Sequence, residues 1–245
     1  MQRIAIEPTQ IVDGVVTFAA EQQRYLRKVL RLQADDRCLA IDGLGKTYLV
    51  ALTAAGGKIL SEIVTPMREL PVPTILVAAL PKGNGFDDVV RACTELGVTQ
   101  IHPIASDRSL LQPSNQRQTR WQKIAREATE QCERQIVPTI FPVRSFPETI
   151  AAIGTRGLLT IATARDSSKM LPNLLATWET TRDITANDPI VVAIGPEGGW
   201  TDREIQIASD AGYTSISLGK RILRAITAPI AAMSIVAATV ESHIE

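Results

Sequence analysis

The segment PIVVAIGPEGGWTDREI joins an apolar run to the loop Gly195-Pro196-Glu197-Gly198-Gly199, then places Thr201 and Glu204 at the spacing of a capping box that opens a helix. In open α/β sheets ligands bind at the carboxyl ends of strands, where such loops lie. Gly198 and Gly199 let the main chain approach a bound molecule with no Cβ in the way, and Pro196 stiffens the approach. The same residues would serve a plain chain reversal, and loop chemistry alone leaves both readings open. The pattern is neither G-x-G-x-x-G nor a Walker A loop, so it supports neither a dinucleotide fold nor an NTPase.

One helix later, SISLGKRILRAITAPIAAMSIV ends another strand at Leu218-Gly219 and enters a basic, apolar turn. Two successive strand ends with glycine loops can share one crevice. There Leu218, Ile222 and Leu223 could wall a purine while Arg221 and Arg224 meet a carboxylate or phosphate; the alternative is plain core with a solvated basic edge. A third feature lies near the N-terminus. Arg24, Arg27, Lys28 and Arg31 fall at i, i+3, i+4 and i+7, one face of a helix, with Leu26, Val29 and Leu30 opposite. Such a stripe meets a phosphate backbone or simply faces water. Arg117, Arg120, Lys123 and Arg126 add charge around Trp121 further on, tempered by Glu127, Glu130 and Glu133. His102 and His243 are the only histidines, so a histidine-rich metal site is excluded and a histidine base must be one of these two.

Elements must hold these residues in place. Short strand signals (RIAI, VVTF, RCLAID, KTYLVAL, KILSEIV) around a helix from Glu21 to Leu30 predict a small β-rich domain over residues 1–69, closed by the proline-rich stretch from Thr65 to Pro73. From residue 70 to 245, apolar strands alternate with helical periodicity: TILVAAL, a helix from Phe86 to Leu96 capped by Gly97, VTQIHPI, a helix from Asn115 to Cys132, strands near PTIFPV and LLTIATA, PIVVAIG, a helix from Asp202 to Ala211, TSISL and a helix from Ala228 to Glu241. This predicts an α/β domain with a mostly parallel sheet covered by helices on both faces.

At 45% hydrophobic and 21% charged residues, the chain has the composition of an ordinary globular protein. Lys plus Arg and Asp plus Glu both total 26, so any affinity for nucleic acid must be local. Cys38, Cys93 and Cys132 form no CxxC pair, which argues against a zinc site and a disulfide framework and fits a reducing cytoplasm. The N-terminus has no apolar signal region, and the run from Ile226 to Val240 is shorter than the ~20 residues of a membrane span, so no membrane anchor is expected.

In their order, RYLRKVLR, PKGNGFDDVVRACTELGV, EATEQCERQIVP, IGPEGGWTDREI and SLGKRILR resemble the bacterial 16S ribosomal RNA (uracil-N3)-methyltransferases of the SPOUT superfamily, over nearly the whole chain. The resemblance implies an N-terminal PUA-like β-barrel that binds RNA through Arg24, Arg27, Lys28 and Arg31. It also implies a C-terminal α/β domain holding S-adenosylmethionine in a deep trefoil knot, and a homodimer whose site is completed across its interface. Cofactor contacts would be Ala162, Gly195, Pro196, Glu197, Gly198, Gly199, Leu218, Gly219, Ile222, Leu223 and Arg224, and the EQxxR match sets Gln131 and Arg134 near the reacting base. The implied activity is methylation of uridine N3 in 16S ribosomal RNA or the small ribosomal subunit, without a metal. A ribose 2′-O-methyltransferase of the same superfamily and a non-catalytic RNA-binding assembly protein are the alternatives. Ile226 stands where the family carries a glutamate, Arg24-Tyr25 replace a histidine pair, and Cys93 departs from the usual QKATELGV pattern.

Overall fold

Alternating apolar residues in short segments build the first of two units in the computed structural model, which describes residues 1–109, 115–163, 169–180 and 188–242. Six strands, β1 (Arg3–Ala5), β2 (Ile11–Val12), β3 (Val15–Val16), β4 (Arg37–Ile41), β5 (Thr47–Leu52) and β6 (Gly57–Ile63), form one sheet in the order β1-β4-β5-β6-β3-β2. Only the β1–β4 pairing is parallel. A register shift between Leu49 and Val50 bends the long β5–β6 pair, and Ile4, Val16, Phe18, Leu26, Cys38, Val50 and Leu52 form the core of this curled sheet. The main-chain ladder runs open from β1 to β2. The Gln22 amide links the two ends instead, donating to the Ala5 carbonyl (2.7 Å) and accepting from Gln10 (2.8 Å).

The expected helix from Glu21 to Leu30 is more complex. Helix α1 (Ala20–Arg24) runs directly into a π-helical turn, Tyr25–Val29, in which the Leu30 N–H reaches back five residues to the Tyr25 carbonyl at 3.0 Å. The wider turn changes the angle between successive side chains. Arg31 lies past the helix at a φ of 58°. The four basic residues therefore do not share one α-helical face. Arg24, Lys28 and Arg31 are exposed, whereas Arg27 turns inward and donates to the carbonyls of Leu32 and Thr53.

The second unit alternates strands and helices: β7 (Thr74–Ala79), α2 (Phe86–Glu95), β8 (Gln100–Ala105), α3 (Asn115–Gln131), β9 (Thr139–Ile140), β10 (Arg144–Ser145), α4 (Phe146–Ile153), β11 (Leu158–Ala162), β12 (Lys169–Met170), α5 (Leu171–Thr180), β13 (Ile190–Ile194), α6 (Asp202–Asp210), β14 (Thr214–Ser217) and α7 (Thr227–Glu241). The sheet order is β10-β8-β7-β13-β11-β14-β12, with β9 also on β8, and every pairing is parallel. Central strands β7 and β13 are buried at every position, as a sheet covered on both faces requires. On one face Ile75, Val77, Ile161 and Val191 pack with Phe146 and Ile150 of α4 and Ala208 of α6. α7 packs against α2 and α5. Trp121 of α3 meets Phe86 edge-on at 4.7 Å and donates to Asp87 at 3.1 Å. No helix among the described residues is long and apolar enough to cross a membrane.

The first unit comprises Met1–Glu69 and Arg126–Val137; the second comprises Leu70–Ala125 and Pro138–Glu245. Residues 126–137, placed with the second domain by the sequence reading, thus cluster with the first. Ionic contacts hold them: Arg126 pairs with Glu7, and Glu133 with Arg3 and Arg68. Glu130 accepts from the Ala5 N–H at 2.7 Å, and burial pushes its carboxyl up to about 7. Above its unfolded value the unfolded chain ionises this group while the folded one keeps its proton, so stability falls as pH rises through about 4.5 to 7. Glu130→Gln keeps the acceptor and removes the titration. It is expected to stabilise the protein by roughly 1–2 kcal/mol at pH 8 and to leave it unchanged at pH 4, in denaturant titrations at both pH values; equal effects at both would refute the assignment.

Candidate active site

Strands β13, β11 and β14 are adjacent and parallel, so the loops that leave their carboxyl ends converge. Between them lies a cavity of about 440 Å³, a size suited to a small organic ligand. Ala162, Gly195, Pro196, Glu197, Gly198, Gly199, Leu218, Gly219, Ile222 and Leu223, all named from the sequence, line it. Arg224 lies outside this lining and is exposed. Ile222 is 67% exposed, so it stands at the mouth and not as a buried wall.

Arg221, also named from the sequence, lines it too, and the structure adds Arg108, Thr163, Trp200, Asp202 and Ile205. Trp200 is the main pin. Its indole N–H donates to the Ala162 carbonyl at 3.0 Å, its ring packs on Phe146 at 4.6 Å, and only 8% of the residue is exposed. One side chain thereby ties the end of β11 to the loop after β13. That loop passes into α6 through the expected capping box: the Thr201 N–H donates to Glu204 at 2.8 Å and the Glu204 N–H to the Thr201 hydroxyl at 3.2 Å. Glu204 is almost fully buried and its other oxygen accepts from the Asp107 N–H at 3.0 Å, which locks the turn after β8 onto the helix start.

Glu197 is exposed at the rim, and its carboxylate accepts from the Lys82 N–H at 3.3 Å. A carboxylate in such a loop can serve as a base or as an acceptor of main-chain hydrogen bonds. The contact makes it a backbone acceptor, while its second carboxylate oxygen accepts no hydrogen bond from the described residues. Ile226 packs its δ-methyl where a Cβ on Gly85 would lie, at 2.3 Å. The position that carries the family's glutamate is thus filled here by an apolar contact between the turn before α2 and the start of α7.

Gln131 and Arg134 do not line the cavity and belong to the first unit. Gln131 is exposed. Arg134 is 2% exposed and donates from Nε (2.8 Å) and Nη2 (2.5 Å) to Glu69, whose other oxygen accepts from the Gln135 and Ile136 N–H groups, each at 3.1 Å. To reach a base, Arg134 must first leave that carboxylate. His102 also lies away from the cavity, stacked on Phe141 at 4.0 Å and bonded to Gln100 at 3.1 Å. Burial, helped by Arg144, lowers its pKa to about 4, so it is neutral at pH 7 and structural. His243 lies outside the described residues. Among the described residues no cluster of three His, Cys, Asp or Glu side chains is placed to hold a metal ion.

Residues 68–237 match the family model described as RNA methyltransferase domain, and residues 18–64 that described as RNA methyltransferase PUA domain. The chain is 41% identical to Ribosomal RNA small subunit methyltransferase E of Synechocystis sp. over 98% of this chain and 78% of that protein. To the Bacillus subtilis protein of the same name it is 30% identical, over 96% and 95%. A solved structure of Ribosomal RNA small subunit methyltransferase E from Neisseria gonorrhoeae, bound to S-adenosyl methionine, superposes with a TM-score of 0.79 at 30% identity, covering 96% of this chain and 95% of that one. With a methyltransferase model over most of the chain, a PUA model before it and relatives matched along nearly its full length, the chain belongs to the ribosomal RNA small subunit methyltransferase E family of RNA methyltransferases.

Proposed function

We propose that the chain transfers a methyl group from S-adenosylmethionine to N3 of a uridine in 16S ribosomal RNA. The observation that carries this reading is the cavity framed by the loops after β11, β13 and β14. Its surfaces suit the cofactor. Ile194, Leu218, Leu223 and Ala228 offer apolar wall to an adenine, Glu197 and Asp202 offer negative charge to a sulfonium and an ammonium, and Arg108 and Arg221 add positive charge to the lining. Bound there, the cofactor supplies a methyl group that is already electrophilic.

The residues then have three tasks: to hold the uracil in line, to stabilise negative charge on it, and to let the N3 proton leave. N3 lies on the Watson–Crick edge, so the target uridine must be unpaired or extruded. Glu197 and Asp202 are the carboxylates at the cavity that can take the proton, directly or through water. The EQxxR resemblance supports Gln131 and Arg134 near the base, on the condition that Arg134 is released from Glu69. Nucleosides from the 16S ribosomal RNA of cells lacking the protein should lose 3-methyluridine by mass spectrometry. Loss of a ribose-methylated nucleoside instead, or no loss, would overturn the assignment.

RNA contact is assigned to the first unit, through Arg24, Lys28 and Arg31, and Arg27 is assigned to holding the turn. Lys28→Ala and Arg31→Ala should each weaken binding to an RNA oligonucleotide and lower the salt slope by about one, with stability unchanged. Arg27→Ala should lower stability by about 1–2 kcal/mol through two lost carbonyl partners. Filter binding over a salt series and thermal unfolding check both; equal salt slopes for all variants would reject the division.

The homodimer is supported by α7, which carries no charge before Glu241: Ala232, Met233, Val236 and Val240 are buried, while Ser234 and Ala238 are exposed and Ala231 and Ile235 half-buried. A trefoil knot is supported by the strand order, in which β13 is laid between β7 and β11 and the chain then returns past β11 to β14. A ribosomal RNA substrate supports a cytoplasmic site of action.

A further inference from the structure

Arg108 belongs to none of the motifs described above, yet its guanidinium is the most firmly placed charge at the cavity. It stands in the turn after β8 and is exposed. Its Nη1 donates to the Gly198 carbonyl at 2.8 Å and the Trp200 carbonyl at 3.3 Å, and its stem lies 3.3 Å from where a Cβ on Gly198 would be. Two carbonyls thus hold one end of the fork, while Nε and Nη2 make no hydrogen bond to the described residues. The neighbouring Asp107 is engaged elsewhere, by the Thr201 hydroxyl at 3.2 Å and by Arg203 at 3.7 Å.

We propose that Arg108 is an oxyanion-binding residue of this pocket, its free guanidinium edge taking a carboxylate or phosphate of a bound molecule. The physical reason is preorganisation. An arginine fork matches two oxygens of such an anion at once, and one already fixed in place loses little rotamer freedom when the anion arrives. Arg221, the other cation of the lining, is exposed with no hydrogen bond to the described residues and must be ordered by its ligand.

This inference rests on the reading of the cavity as a methyltransferase site, which provides two sources for the anion: the carboxylate of S-adenosylmethionine and a phosphodiester of the RNA. Arg108→Met and, for comparison, Arg221→Met are titrated by calorimetry with S-adenosylmethionine and with 5′-methylthioadenosine, which lacks the amino-acid end. The KM for RNA is measured over a salt series.

If the anion is the carboxylate, Arg108→Met binds S-adenosylmethionine about tenfold more weakly and methylthioadenosine as tightly as wild type. If it is a phosphate, cofactor affinity is unchanged, the KM for RNA rises about tenfold and the salt slope falls by about one. In either case Arg221→Met changes the same readout by less, about threefold. Arg108→Lys, which keeps the charge, recovers part of the loss and provides a second variant should methionine disturb the loop. Three outcomes overturn the proposal: no readout weakened, methylthioadenosine and S-adenosylmethionine weakened equally, or Arg221→Met matching Arg108→Met. Equal weakening would leave Arg108 as a clamp on the loop alone. A wild-type protein that binds no S-adenosylmethionine would overturn the cavity reading first, and this inference with it.

Discussion

Gly195→Ala should lower the affinity for S-adenosylmethionine by one to two orders of magnitude while the protein still folds. A Cβ at this position would sit 2.9 Å from Cε2 and 3.1 Å from Nε1 of Trp200. The indole has little room to yield, because Ala162 holds its N–H, Phe146 lies against its ring, and the residue is almost wholly buried. Relief of the clash must therefore move the loop away from the end of β11, which opens the wall that both segments share. Overpacking of this kind costs on the order of 1–3 kcal/mol. Here it falls on the two segments that line the cavity. Gly212→Ala is the control: its φ of 86° strains an alanine there, a backbone cost that Gly195 does not carry, but nothing lies within 4 Å of the added carbon and the residue follows α6 at the end remote from the loop. Calorimetric titration of both variants with the cofactor checks the argument. Wild-type affinity in Gly195→Ala, or an equal loss in Gly212→Ala, would show that the contact with Trp200 is not what shapes the pocket.

The loop itself was legible because its local chemistry and its place in the fold agree. A buried strand, three glycines and the Thr201–Glu204 box announce a strand-to-helix turn, and the parallel sheet puts that turn at a binding edge. Helix α2 and its stop at Gly97, which has a φ of 88°, were legible for the same reason. What could not be read depends on distant partners. Arg108 lies some ninety residues from the carbonyls it holds, and nothing in its own segment marks it. Trp200 reads as an ordinary aromatic beside a glycine loop until β11 is known to end under its N–H. The π turn at Tyr25–Val29 shares its apolar spacing with an α-helix, so periodicity hid the change that turns Arg27 inward. Helix α4 is a different case. Its signal, Ser145 and Glu148 with Pro147 between them, is a capping box with proline in the first turn, present in the sequence and passed over because the helix behind it is short.

Glu69→Ala should cost about 3–5 kcal/mol, enough to threaten a fold whose total stability is of the order of 5–15 kcal/mol. The Glu69 side chain is only 8% exposed and receives two hydrogen bonds from Arg134 and one each from the Gln135 and Ile136 N–H groups. Removing it takes the carboxylate from a guanidinium that is 2% exposed and leaves two main-chain donors without that acceptor. Deleting both charges together, in Glu69→Met with Arg134→Met, should be milder than Glu69→Ala alone, since the buried guanidinium then goes with its carboxylate. Urea titrations of the two variants test this ordering; a single variant less than 1 kcal/mol below wild type would sink the buried-pair account. The double variant also separates the two roles open to Arg134, provided it folds and binds S-adenosylmethionine normally. If Arg134 only fastens residues 126–137 to the end of the first unit, methyl transfer should stay within about fivefold of wild type. If the pair opens so that Arg134 can stabilise charge on the uracil, turnover should fall by about a hundredfold or more, as it does when a donor to a developing oxyanion is lost.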